Sequence, residues 1–301
     1  MKKTVCFLVF NLLFFSMVAQ SNIRLNNYWD KTYFINPASI NDVSLGEFNM
    51  AARKQWVGFP GSPSTLFATA TTYVENLRTQ FGLKIMQDKI GYTNTTAVDL
   101  TYAYSIALER DWQLHLGLGA CYQSLSYDMS SVVFPTADDP VAYEHLLSEN
   151  NFNANIGAEL TSHLWKLGLS SQNLFSLFSN INKQFINTNI AYAMYRQNTH
   201  DYVNLGYGVA GIQYGNIYQM ELNLTGYFKI TPQSDAFQVG MFYRTWNEMG
   251  AILGIDLTKA FHLSYSYDFN VGGISRSSVG TQELILTYKL PKEWKCKNCW
   301  Y

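Results

Sequence analysis

The sequence predicts an all-β fold: a transmembrane antiparallel up-and-down β-barrel of about 14 strands, preceded by a cleaved signal peptide. Three observations predict it: apolar and polar residues alternate with a period of two, short turns alternate with longer loops, and the chain begins with a secretory leader. Only 14% of the residues are charged, whereas 48% are apolar. Soluble domains usually carry about 25% charged residues, so this composition favours a wall with one face in lipid.

The leader reads MKKTVCFLVFNLLFFSMVAQ, with Lys2 and Lys3 ahead of a short apolar run and Ala19 before the expected cut. That run is shorter than the roughly 18 apolar residues of a transmembrane helix, so it predicts a signal peptide. We therefore divide the chain into a signal peptide, an N-terminal segment in the periplasm or the barrel lumen, the outer-membrane barrel, and a C-terminal periplasmic tail: residues 1–19, 20–43, 44–290 and 291–301.

Strands are predicted wherever the alternation persists. In DWQLHLGLGACY, from Asp111 to Tyr122, tryptophan and leucines share one face, and His115, glycines and Cys121 share the other. Runs of this kind predict 14 strands, at 44–55, 64–74, 79–86, 95–108, 112–125, 152–161, 164–170, 186–195, 202–213, 216–230, 236–245, 248–257, 260–269 and 281–290.

The connections give independent support, because the longest predicted ones (126–151, 171–185 and 270–280) are all odd-numbered. Outer-membrane barrels have short periplasmic turns and longer extracellular loops. We therefore expect the odd-numbered loops to be extracellular and both termini periplasmic. A soluble β-sandwich would also show alternation, but the leader, the low charge and the loop parity favour the barrel.

The polar faces supply candidate lumen residues, namely Asp111, His115, Arg244, Asp256, His262 and Asp268. By strand register, His115 lies beside Asp111 and His262 beside Asp268, so each pair is a candidate for barrel catalysis. No nucleophile stands at a recognised spacing, so we favour hydrogen bonding in the lumen over catalysis. The sequence shows no cofactor or metal motif and no basic run for nucleic acid, so we predict no catalytic, cofactor-binding or metal site.

Cys296 and Cys299 form a C-x-x-C pattern in the tail. Zinc sites usually need four ligands, and no second pair is near in the sequence. In an oxidising compartment the pair is either a local disulfide or two free thiols.

The stretch ARKQWVGFPGSP, from Ala51 to Pro63, is the most distinctive local feature. Its glycines and prolines predict a compact first loop at the barrel rim. Tryptophan beside arginine is typical of interface hot spots. The rim is therefore either a rigid turn or a partner-docking surface, with the candidate residues Arg53, Gln55, Trp56, Gly58, Phe59 and Pro60 and, in the preceding INPASI stretch, Asn36 and Pro37.

Four motifs resemble the PorP/SprF family of Bacteroidetes outer-membrane proteins: INPASI (35–40), ARKQWVGFPGSP, DKIGYT (88–93) and TYAYSIAL (101–108). The family pattern has Asn-Pro-Ala, Arg-x-Gln-Trp, an Asp-x-x-Gly loop and a Tyr-Ala-Tyr strand in that order. The resemblance is concentrated before residue 110. The sequence departs from the pattern after Asn-Pro-Ala, at Ser39, and at the start of the last strand, at Thr281 and Gln282.

The resemblance implies a non-enzymatic barrel of the type IX secretion and gliding machinery. It implies two partners besides membrane lipid: a secreted adhesin-like surface protein with a type B C-terminal domain, and a periplasmic peptidoglycan-binding lipoprotein. The alternative function is an outer-membrane transport channel for a small hydrophobic or polar solute. A third hypothesis, a barrel enzyme that uses His115 or His262, is the weakest because it lacks a motif.

Overall fold

The computed structural model describes residues 24–109, 111–128, 148–178, 185–231, 234–245, 248–270 and 278–292. The predicted signal peptide and the Cys296–Cys299 pair lie outside these ranges. The described chain contains 14 strands: β1 (Ser44–Lys54), β2 (Ser64–Val74), β3 (Thr79–Ile90), β4 (Thr93–Ala107), β5 (Gln113–Tyr127), β6 (Glu149–Thr161), β7 (Trp165–Gln172), β8 (Thr188–Arg196), β9 (Val203–Tyr214), β10 (Ile217–Thr231), β11 (Ser234–Arg244), β12 (Glu248–Asp256), β13 (Phe261–Asn270) and β14 (Thr281–Pro291). Short 3₁₀ turns occupy Thr32–Phe34, Glu75–Leu77 and Leu174–Leu177.

Each strand pairs antiparallel with its neighbours in sequence, and β1 closes the ring by pairing with β14. The sheet therefore has no open edge, as a lipid-embedded sheet requires. The closed antiparallel barrel of 14 strands confirms the predicted fold class. No helix of the described ranges is long and apolar enough to cross a membrane.

The strand bounds agree with the predicted ones to within a few residues, with one informative difference at β3. The prediction ended this strand at 86, but it continues to Ile90 because Asp88 and Lys89 pair with Thr95 and Asn94 of β4. The Asp-x-x-Gly stretch is therefore mostly strand, and only Gly91 and Tyr92 form the turn.

The two ends of the barrel differ in the length of their connections. The long connections β1–β2, β5–β6, β7–β8 and β13–β14 lie at one end, which we call the long-loop end. The opposite end carries connections of two to six residues, such as those at 75–78 and 162–164, and we call it the short-turn end. The sequence predicted this arrangement, because its longest connections between strands are all odd-numbered.

The burial pattern along the strands alternates as the sequence does. Outward side chains such as Leu100, Leu118, Phe152 and Leu169 are more than half exposed, and inward ones such as Asp99 and Asn153 are buried. The exposed apolar side chains form the wall that faces lipid. The polar side chains line the lumen.

The outward face generates a test that separates a membrane wall from a soluble surface. Leu118 in β5 and Leu77 in a short turn are nearly equally exposed, at 61% and 60%. We expect Leu118→Arg to lower the unfolding free energy by about 2–4 kcal/mol in lipid vesicles, because an arginine on the lipid face of a barrel costs that much near mid-membrane. Leu77→Arg is the matched control and should change it by less than about 1 kcal/mol.

Urea titration of the refolded protein in vesicles measures both values. Equal effects of the two substitutions would contradict a lipid-facing position for Leu118.

Candidate functional site

The lumen is filled by residues 24–42, which we call the plug. Its large side chains are almost completely inaccessible, with Tyr28 at 0%, Leu25 at 1% and Trp29 at 4% exposure. The sequence left this segment open between the periplasm and the lumen. The structure places its described part in the lumen, where it packs on inward side chains of the wall.

One carboxylate of β14 holds the beginning of the plug. Glu283 accepts the backbone N–H groups of Asn26, at 2.6 Å, and of Asn27, at 3.0 Å. The side-chain amides of the same residues donate to Asp268, at 2.7 Å, and Ser264, at 2.6 Å. Because the plug is not a regular helix or strand here, Glu283 satisfies two backbone donors that would otherwise be buried without partners.

A buried ionic cluster surrounds this contact at the long-loop end. Arg244 lies 2.8 Å from Glu221 and 3.6 Å from Asp268, and Arg24 of the plug lies 3.2 Å from the same Glu221 carboxylate. The indole N–H of Trp29 also donates to Glu221, at 2.8 Å. Arg53 of the wall completes the cluster at 3.9–4.0 Å from Glu283 and Asp268. Removing one member of such a network leaves its partner buried and uncompensated.

The Asn-Pro-Ala motif forms a second contact deeper in the lumen. Asn36 donates to the Tyr192 hydroxyl at 3.0 Å and to the Ala158 carbonyl at 3.2 Å, and its own side-chain oxygen accepts the Ala38 N–H at 2.9 Å. Tyr192 in turn donates to Glu159. This motif therefore shapes a turn of the plug and fixes it to β6 and β8, far from the rim loop with which the sequence grouped it.

Inward glycines leave the space that this turn occupies. A Cβ atom at Gly117 would collide with the backbone of Pro37 and Ala38, and one at Gly157 would collide with the Asn36 side chain. Gly208 similarly faces the ring of Trp29. The close approach of the plug thus explains Gly117 of β5, Gly157 of β6 and Gly208 of β9.

Charged groups hold the end of the plug near the short turns. Lys31 lies 3.1 Å from Glu47, and Asn41 donates to the same carboxylate at 2.6 Å. Burial alone would lower the pKa of Lys31, but the carboxylates of Asp30 and Glu47 outweigh it, so the pKa lies above the ordinary value. The ammonium is therefore charged at any physiological pH.

The first loop is fixed to its neighbours at the rim. Val57 exchanges backbone hydrogen bonds with the β13–β14 connection, donating to Gly280 at 2.8 Å and accepting from Val279 at 2.9 Å. Gly91 of the next hairpin donates to Gly61 at 2.9 Å. Trp56 adopts φ 51°, the left-handed region, and Gly58 adopts φ 94°. Phe59 remains 49% exposed above this scaffold, with Pro60 beside it.

A sequence model for the family described as type IX secretion system membrane protein PorP/SprF matches residues 17–288. The chain belongs to the PorP/SprF family. It is therefore an outer-membrane β-barrel of a secretion-system family, as the four motifs indicated. No curated protein matches the chain.

Solved structures share the barrel fold at low identity. A TodX deltaS2S3 mutant, described as a monoaromatic hydrocarbon channel, aligns with a TM-score of 0.52 and 7% identity, over 86% of this chain and 93% of that one. The toluene transporter TbuX of Ralstonia pickettii gives 0.50 and 8%, over 85% and 92%. The CymD monoaromatic hydrocarbon channel gives 0.50 and 9%, over 86% and 92%. At these identities the likeness concerns the fold alone.

The six predicted lumen residues lie in four separate places. Arg244 and Asp268 belong to the ionic cluster. His262 lies on the same strand as Asp268 but near the short-turn end, 2.7 Å from Asp256 and 3.7 Å from Asp30. His262 therefore pairs with Asp256 across the β12–β13 hairpin, and its expected pairing with Asp268 is wrong.

The other expected His/Asp pair is also separated. His115 is inward and buried, and its Nε2 lies 2.9 Å from the Thr161 hydroxyl. Asp111 stands in the β4–β5 turn with a side chain 76% exposed, 3.8 Å from His163. Asp111 is thus a residue of the short-turn rim and not of the lumen, because the strand begins only at Gln113. Within the described residues no three His, Cys, Asp or Glu side chains form a group that could hold a metal ion.

The candidate residues of the first loop lie in two different places. Arg53 and Gln55 point inward and are buried, whereas Trp56, Gly58, Phe59 and Pro60 form the loop above them. Sequence reasoning missed Glu283, Tyr192 and Trp29, which make the decisive plug contacts. The sequence did carry a signal for Glu283, because it is the only acidic residue of β14 and stands at an inward-facing position of that strand.

The glycine contacts generate a prediction about the seating of the plug. Gly117→Val should displace residues 37 and 38, because its side chain occupies the space of their backbone. Gly211→Val is a matched control, since a Cβ at Gly211 of β9 meets nothing within 4 Å. We expect limited proteolysis of the purified protein to cleave the plug at least tenfold faster in Gly117→Val alone. Equal protection of both variants would contradict the placement of the plug.

Removing the plug tests whether it closes the lumen. A barrel of 14 strands is wider than one whose side chains alone fill the interior. We therefore expect deletion of residues 24–42 to produce ion conductance in planar bilayers, while the intact chain stays closed. The double variant Glu283→Gln with Asp268→Asn should show intermittent openings, because it weakens the plug contacts and leaves the wall intact. A closed deletion variant that is correctly folded would show that other residues close the pore.

Proposed function

We propose that this protein is a non-enzymatic outer-membrane barrel that supports the export or surface anchoring of a secreted partner by the type IX machinery. The partner is an adhesin-like protein with a type B C-terminal domain. The family match carries the proposal. Membership in a secretion-system family favours a role with protein partners over solute transport.

The plug adds physical support. Contacts from β1, β6, β8, β10, β13 and β14 converge on it, so a path for solute requires many buried hydrogen bonds and ion pairs to break together. Such a lumen suits a scaffold whose ends recruit partners. The transport-channel alternative requires the plug to move, and conductance of the intact protein would favour it.

The rim loop is the proposed docking surface for the secreted partner, with the long-loop end facing the outside of the cell. Its backbone is held by the β3–β4 and β13–β14 connections, so little ordering is needed when a partner binds. The exposed ring of Phe59 and the neighbouring Trp56 supply the aromatic area that interface hot spots use.

The short-turn end is the proposed contact for the periplasmic lipoprotein. Asp111 and His163 project there with side chains 76% and 81% exposed, and Asp42 and Lys166 line the same mouth around the plug exit. A mixed-sign rim of this kind suits an electrostatically matched partner. Cysteine substitution at position 163, followed by cross-linking in cells, tests this contact. The lipoprotein should cross-link to a cysteine at position 163 and not to one at position 59.

Substitution of the rim aromatic tests the docking surface. We expect Phe59→Ala to reduce recovery of the secreted partner by about tenfold in pull-downs from detergent-solubilised membranes, the loss of roughly 1.4 kcal/mol of binding free energy. Tyr202→Ala is the control, because Tyr202 is also exposed, at 73%, but lies in the short turn between β8 and β9.

Mass spectrometry must identify the recovered protein as one with a type B C-terminal domain. Unchanged recovery with Phe59→Ala and with Trp56→Ala would remove this loop as the docking surface. Recovery of no secreted protein by the unchanged chain would overturn the proposed function.

A further inference from the structure

A cavity of about 140 Å³ lies between the plug and the wall, toward the long-loop end. Side chains from the plug, from β2, β3 and β8 and from the segment before β8 form the apolar part of its lining: Leu25, Phe34, Phe67, Met86, Phe185 and Ile190. Polar side chains, among them Lys84, Asn155 and Gln172, form the rest. Since a water molecule needs roughly 10–15 Å³ of such volume, the cavity has room for about ten waters. A small organic molecule of that size fits it.

Three buried polar atoms without hydrogen-bond partners lie on residues that line this cavity. They are Nη1 of Arg24, Oδ1 of Asp99 and Oε1 of Gln123. Each residue is more than nine-tenths buried. Buried polar atoms are normally paired, and three on one small cavity indicate a ligand that pairs with them.

The remaining atoms of these side chains are held in place, so the three free atoms are prepositioned. Arg24 uses Nη2 for Gln219, at 2.9 Å, and for Glu221. The other oxygen of Asp99 lies 2.6 Å from Lys84. Gln123 donates through Nε2 to Asn173 at 2.9 Å. These residues thus bring to the lining one cationic donor and two acceptors, one of them an oxygen of the carboxylate that is paired with Lys84.

We infer that this cavity is a binding site for an apolar α-amino acid, such as leucine or phenylalanine. The carboxylate would pair with Arg24, the ammonium with Asp99 and Gln123, and the side chain would pack among the apolar residues. A purely apolar molecule would leave all three polar atoms unpaired, which is costly in a buried site. A simple carboxylate would leave the two acceptors unpaired. This site is independent of the proposed docking surface, because it lies inside the lumen.

Isothermal titration of the full-length protein in nanodiscs tests the assignment, with L-phenylalanine and L-leucine as probes. N-acetyl-L-phenylalanine lacks the ammonium and L-phenylalaninamide lacks the carboxylate. We expect each modified compound to bind at least tenfold more weakly than phenylalanine. No binding by either amino acid would overturn the inference, and so would equal binding by N-acetyl-L-phenylalanine.

Variants locate the binding in the cavity. Ala97 is inward, buried and part of the lining, so Ala97→Leu fills the space and should abolish binding. Ala191→Leu is the matched control, because Ala191 of β8 points outward. Arg24→Lys keeps a cation for Glu221 but loses Nη1, and should weaken phenylalanine at least tenfold while leaving phenylalaninamide unchanged. Each variant must keep the heat-modifiable migration in SDS gel electrophoresis that marks a folded barrel.

Undiminished binding in a folded Ala97→Leu protein would place the ligand elsewhere and overturn the inference. Loss of binding in Ala191→Leu as well would do the same, since that side chain cannot reach the cavity. The pull-down of the secreted partner does not depend on this site, so failure here leaves the proposed function intact.

Discussion

The pairing of the plug backbone with the Glu283 carboxylate of the wall is the interaction on which the rest of the interior depends. A 14-strand barrel is too wide for its own side chains to fill, and the segment that fills it has little regular structure. Its N–H groups are removed from water and need acceptors from the wall. Glu283 supplies two, and Arg53 and Arg244 compensate the buried negative charge of Glu283 and its neighbours.

The same pairing explains why the inner face of the wall is so uneven. Around Glu221 and Asp268 it is ionic, around Tyr192 and Glu159 it faces uncharged polar side chains of the plug, and around Phe67 and Ile190 it is apolar. Each zone matches a different part of residues 24–42. The lumen is therefore better described as a binding site for the plug than as a channel lining.

The filled lumen separates the function of this chain from the function that its fold alone would indicate. The barrels of similar fold include proteins described as hydrocarbon channels, yet the fold fixes only a cylinder in the membrane. In this chain the interior is committed to the plug, and the rim aromatics are rigidly displayed outside it. The proposed recognition of proteins at the two ends is compatible with such a division, and a small cavity beside Arg24 is a separate feature of the interior.

The sequence by itself determined the strands, their number and the face that each side chain takes. It could do so because period-two alternation and turn residues are local properties, and Leu118 or His115 needs only its neighbours to be assigned inward or outward. The partners of inward side chains depend on which strands meet across the lumen and on the path of an irregular segment. Only the tertiary structure could therefore pair His262 with Asp256, move Asp111 to the rim, and show that Gly117 makes room for Pro37 and Ala38.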